Sequence, residues 1–142
     1  MGQMTDAEYE AQLGRIRALT DAWIAPLGLK WWRVNMEYVR DSGEYKLDGK
    51  ASPDGVANTH ADYRYLHATI TWNIPRVAEQ DEERLEWIFV HECCHILIQE
   101  TRGPEGDGFN DWLSHEERVC STLASAFIWT RDSVKGDAHD RG

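Results

Sequence analysis

Trp87-Ile88-Phe89-Val90-His91-Glu92-Cys93-Cys94-His95-Ile96-Leu97-Ile98 is the stretch on which the reading of this 142-residue chain turns. Apart from His91, Glu92 and His95 the run is apolar all round, and a helix of that kind is a buried one. Ionisable groups placed there need partners, because an unpaired polar group in an apolar interior costs on the order of several kcal/mol. Residues four apart share one helix face, about 6 Å apart at Cβ, so His91 and His95 can direct ring nitrogens at one ion about 2.0–2.1 Å from each. Glu92 then sits beside that ion, where a carboxylate can accept the proton of a water attacking a carbonyl. Chance places His-Glu-x-x-His in about one of fifty shuffles of this composition, and rarely within a buried helix.

Outward from this run, Asp81, Glu82 and Glu83 put negative charge where a helix N-terminus favours it, so the helix is predicted from there to about Glu100. Upstream, Leu66, Ala68, Ile70 and Trp72 alternate with His67, Thr69, Thr71 and Asn73, a strand closed by Pro75. Trp32, Val34, Met36 and Tyr38 alternate with Arg33, Asn35, Glu37 and Val39 in the same way. Gly43, Gly49, Pro53 and Gly55 predict a turn-rich connection over residues 41–58, with a short strand around Tyr45. Thr5 and Glu8 form a capping box that opens an amphipathic helix through Leu13, Ile16 and Trp23, ending near Ala25. Downstream, Gly103, Pro104, Gly106 and Gly108 predict an irregular, mobile loop over residues 101–113. A last helix is expected from Ser114 to about Thr130, with Val119, Cys120, Leu123, Ala124 and Phe127 on its apolar face. The expected architecture is α+β, about three helices packed on a small twisted sheet with the histidine-bearing helix buried. It forms one domain over residues 1–130, followed by a polar, flexible tail over residues 131–142.

With 15 Lys plus Arg against 25 Asp plus Glu, the net charge of −10 repels phosphate backbones and anionic membranes. Neither nucleic acid nor a membrane is an expected partner. No run reaches the roughly 18 apolar residues of a membrane span, and the N-terminus lacks the basic and apolar regions of a signal peptide, so the cytoplasm is the expected location. Three cysteines, two of them adjacent, fit a reducing compartment better than a disulfide framework. Cys93 and Cys94 diverge by about 100° on a helix and cannot both reach the histidines' ion, so with Cys120 they are read as small core residues. His60, His67 and His115 are read as surface histidines, although each could donate to an oxyanion.

A catalytic zinc site takes a third protein ligand, and the last helix offers Glu116 and Glu117. Ser114 and Glu117 have capping-box spacing, and helical rotation puts Glu116 nearer the centre of the apolar face, so both observations favour Glu116. The segments His91-Glu92-Cys93-Cys94-His95 and Glu117-Arg118-Val119-Cys120-Ser121-Thr122-Leu123-Ala124 together resemble the gluzincin pattern of ImmA/IrrE-like and small phage-type metallopeptidases. Cys120 and Ser121 stand where those proteins usually carry Ala and Asn. The resemblance spans roughly residues 66–130. It implies a minimal zincin-like domain with one zinc ion per chain held by His91, His95 and Glu117, whereas periodicity and capping leave Glu116 as the alternative third ligand. It implies Glu92 as the catalytic base and hydrolysis of peptide bonds in a peptide or protein substrate. It also implies that the strand before the metal helix pairs with an extended substrate, which makes Leu66, His67, Ala68, Thr69 and Ile70 the substrate-binding candidates. The competing expectations are a zinc-containing binding or regulatory protein that cleaves nothing, and a metal-free interaction domain. Metal analysis of protein purified without added zinc is expected to find about one zinc per chain; a content near zero contradicts the motif.

Overall fold

The two alternating runs lie side by side in one sheet, completed by a third strand that alternation of large apolar residues does not announce. The computed structural model describes residues 3–101 and 109–141, with side chains described for residues 3–99, 101 and 114–136. In chain order the elements are α1 (Asp6–Trp23), β1 (Arg33–Val39), β2 (Lys46–Leu47), β3 (Lys50–Ala51), β4 (Ala57–Asp62), β5 (His67–Asn73), α2 (Ile74–Ala78), α3 (Glu82–Ile98) and α4 (Phe109–Arg141). Short 3-10 turns lie at Ser42–Glu44 and Gln99–Thr101. Among the described residues this is an α+β arrangement of four α-helices, a three-stranded sheet of order β1-β5-β4 and a separate β2-β3 pair.

Each predicted element forms for a local reason that the side chains display. Thr5 and Glu8 make both bonds of the capping box, at 3.1 and 3.4 Å, and α1 ends at Trp23, just short of the expected Ala25. Asp81 caps α3 by accepting from the Arg84 N–H at 2.7 Å. On β5, Ala68, Ile70 and Trp72 are fully buried, and Trp72 stacks on Phe89 of α3 with ring centroids 5.9 Å apart. Leu66 precedes the strand, is partly exposed and has a positive φ of 49°, so it does not continue the apolar face. The opposite face of the sheet turns Arg33, Asn35 and Glu37 outward.

Several expectations need correction. β4 begins at the end of the expected turn-rich connection and continues through residues for which no element was expected, because Ala-Asn-Thr-His-Ala-Asp has little intrinsic strand preference. Its small residues serve packing: Ala57 and Ala61 lie against the core and Thr59 reaches α3. Pro75 does not simply end β5 but sits in the first turn of α2, where a missing N–H costs nothing. The last helix begins at Phe109 rather than Ser114, directly after the glycine-bearing stretch, so Ser114 lies inside α4 and is not its N-cap. Residues 102–108 of the expected loop lie outside the described residues. Around Tyr45 there is a 3-10 turn and the small β2-β3 pair, with Tyr45 itself buried.

α4 also runs past Thr130, the expected end, to Arg141, so helix occupies the segment expected as a flexible tail. Arg131 supplies a physical reason: its guanidinium grips the Glu86 carboxylate of α3 with two bonds, at 2.6 and 2.8 Å. The same guanidinium lies over the Trp23 ring, whose indole N–H donates to Glu86 at 2.9 Å. Three helices thus meet at one partly buried carboxylate. No helix among the described residues is long and apolar enough to cross a membrane.

The Arg131 bonds hold the Glu86 carboxyl below the usual carboxylate range. Its contribution to stability is therefore present at neutral pH and is lost as pH falls through the lowered value. Glu86→Gln is expected to destabilise the protein by about 1–3 kcal/mol at pH 7, read from urea unfolding. The gap to wild type should narrow steadily below about pH 4; a gap independent of pH contradicts this role for the ion pair.

Candidate metal centre

α3 is buried around His91, Glu92 and His95 because elements cover it on more than one side: Trp72 and Thr59 of the sheet meet Phe89 and Glu92, and α4 meets the histidines. The three polar residues are only 7%, 6% and 9% exposed. Each offers a ligand atom, all within 4.8 Å of one another, so the group could hold a metal ion.

The imidazoles turn the same atom toward each other, with His91 Nε2 and His95 Nε2 3.2 Å apart. The Glu117 carboxylate bridges this pair, with Oε1 2.9 Å from His95 Nε2 and Oε2 3.1 Å from His91 Nε2. Glu116, one position earlier, takes the other side of His95, its Oε2 2.6 Å from Nδ1. Ser121 Oγ lies 3.3 Å from His91 Nδ1, and Trp87 stacks on the His91 ring at 5.1 Å. Glu117, the expected third ligand, and Glu116, its alternative, therefore occupy different places. Glu117, with 62% of its side chain exposed, reaches the converging nitrogens from the solvent side, whereas Glu116 is buried behind His95.

The electrostatics follow from these contacts. Burial pulls the charged form of His95 down, but bonds to Cys120, Glu116 and Glu117 outweigh it and raise the imidazolium well above its usual range. His91 and His95 hold the Glu117 carboxyl well below the ordinary value. Burial pushes the Glu92 carboxyl up, against a lowering bond from the Thr59 hydroxyl, which donates to Glu92 Oε1 at 2.7 Å. A carboxyl raised in this way is better matched to accepting and releasing a proton near neutral pH.

Cys93, Cys94 and Cys120 are buried and unpaired by disulfides, as small core residues are. Cys120 also meets His95, a contact that its place on the apolar face of α4 did not reveal. His60 and His115 are exposed, and His67 Nε2 bonds Asn35 at 2.8 Å. Sequence reasoning missed Thr59 and Ser121. The signal for Thr59 was the spacing of small residues 57, 59 and 61, and for Ser121 its place four after Glu117, on the same helix face.

Leu66, His67, Ala68, Thr69 and Ile70 do not form the edge expected of a substrate-pairing strand. β5 is the central strand, with β1 on one side and β4 on the other, so both rows of its backbone groups are engaged in the sheet. Ala68 and Ile70 also point into the core. The edge beside the metal helix is β4. Its register opposite β5, with Asn73 N–H bonding Val56 O at 2.8 Å, turns the N–H and C=O of the even-numbered residues toward β5. The backbone groups of Thr59 and Ala61 then face the outer edge.

No protein-family model, curated protein or solved structure matches this chain. Thr59→Val keeps the shape of the side chain but leaves a buried carboxyl without its hydroxyl donor. It is expected to lower unfolding free energy by about 1–2 kcal/mol in urea titration. A loss below roughly 0.5 kcal/mol contradicts the role given to the bond.

Proposed function

We propose that this chain is a zinc-dependent metallopeptidase of gluzincin-like, minimal zincin type, with His91, His95 and Glu117 as metal ligands and Glu92 as general base. The observation that carries this reading is the convergence of two imidazole nitrogens and one carboxylate. Bonds of about 2.0–2.1 Å at the tetrahedral angle set donor atoms about 3.3 Å apart. Glu117 Oε1 lies 2.9 Å from His95 Nε2, Oε2 lies 3.1 Å from His91 Nε2, and the two nitrogens are 3.2 Å apart, so the carboxylate closes on the imidazole pair at separations near that spacing. Two neutral imidazoles and a carboxylate are also a donor set that suits zinc, and three protein ligands leave a position open.

Zinc held there supplies Lewis acidity, polarising a carbonyl and acidifying water. Glu92 would take the proton from the attacking water and pass it to the leaving amine, and the Thr59 hydroxyl bonded to its Oε1 supports that role. The outer edge of β4 supports strand addition by an extended peptide: N–H and C=O of Thr59 and Ala61 align the main chain, and Thr59 ties that edge to Glu92. Three buried free cysteines accord with the reducing cytoplasm as the working compartment.

A closed, non-catalytic zinc site is the second reading, favoured by the Cys120 thiol that meets His95 and could complete a four-ligand set. Against it, burial raises the Cys120 thiol and disfavours the thiolate a metal needs.

Glu92→Gln is expected to retain zinc and to lower peptide hydrolysis by at least about a hundredfold, measured on a quenched-fluorescence peptide library. Turnover near the wild-type rate excludes Glu92 as the base. Zinc-loaded wild type that cleaves no peptide favours the closed site.

A further inference from the structure

We infer that Glu116 is a positioning residue for the metal, an anionic partner that holds His95 by Nδ1 so that Nε2 faces the ion. This rests on the metal site proposed above but requires no hydrolysis. Glu116 Oε2 lies 2.6 Å from His95 Nδ1, against 3.3 Å between Ser121 Oγ and His91 Nδ1. Both histidines thus have a partner from α4 on the nitrogen that faces away from the ion, yet the two partners differ in kind.

Glu116 brings a carboxyl group, is buried to 3% exposure and lies close; Ser121 brings a hydroxyl at a longer separation. An imidazole that donates Nδ1–H to a carboxylate is fixed in the tautomer whose Nε2 carries the lone pair, and that lone pair becomes more basic. His95 should therefore be the stronger and better oriented of the two nitrogen ligands. The adjacent placement of Glu116 and Glu117 matters here. About 100° of helical rotation separates them, which lets one carboxylate meet the outer nitrogen of His95 and the next meet both inner nitrogens.

The test is zinc titration of metal-stripped wild type, Glu116→Gln and Ser121→Ala against a chromophoric chelator, with cobalt(II) absorption as the report on coordination. Glu116→Gln is expected to weaken zinc binding by about 10–100-fold while keeping the four-coordinate cobalt bands of wild type, and Ser121→Ala to weaken it by less than about tenfold. Circular dichroism and melting of the metal-free proteins separate this from a structural role, which would lower the melting temperature and leave zinc affinity unchanged.

Zinc affinity in Glu116→Gln within about twofold of wild type overturns the inference. Loss of the four-coordinate bands overturns it differently, by making Glu116 a ligand. If Glu116→Gln does not fold without metal, Glu116→Asp is titrated in its place; its shorter side chain is expected to weaken binding, and wild-type affinity overturns the inference. Wild type that binds neither metal defeats the metal site and this inference together, whereas wild type that binds both isolates the role of Glu116.

Discussion

The contact between the carboxylates of α4 and the imidazoles of α3 is the constraint around which the rest of the fold is arranged. Two histidines and a glutamate in an apolar helix can stay buried only if each finds a partner, and the required partners come from different elements. Glu116 and Glu117 arrive from α4 and Thr59 from β4. The helix that carries the motif is therefore enclosed between sheet and helix, and α4 must lie across it at a fixed register. Arg131 fixes that register a second time, further along α4, through its two-bond grip on Glu86 of α3.

The same arrangement divides the centre into two sides. Glu116 is buried behind His95, while Glu117 stands largely exposed beside the converging nitrogens. On the inner side, packed side chains meet the rings. Outside, the site borders on solvent close to the helix that holds Glu92, and the outer edge of β4 adjoins that helix through Thr59. A closed interior and an open exterior accord with the metal site proposed above, in which side chains are held from behind and one side stays open.

Much of this was legible in the residues because local signals and burial agree. Alternation placed β1 and the core face of β5, the Thr5 box opened α1, and the apolar surroundings of His91 and His95 marked α3 as buried. β4 was illegible because its residues suit close approach to a helix rather than strand propensity, and edge position is a property of the sheet, not of the segment. The roles of Glu116 and Glu117 were undecidable from periodicity for a related reason. Periodicity reports which residue faces the core, and it put Glu116 there correctly; it does not report which nitrogen of a histidine that residue meets. The capping reading of Ser114 failed because the helix had already begun at Phe109.

X-ray absorption at the zinc edge of the zinc-loaded protein reads the atoms around the metal without reference to activity. Ligation by His91, His95 and Glu117 requires a first shell of nitrogen and oxygen alone at about 2.0–2.1 Å, with the outer-shell scattering of two imidazoles. A sulfur shell at about 2.3 Å would place a cysteine on the metal and contradict it.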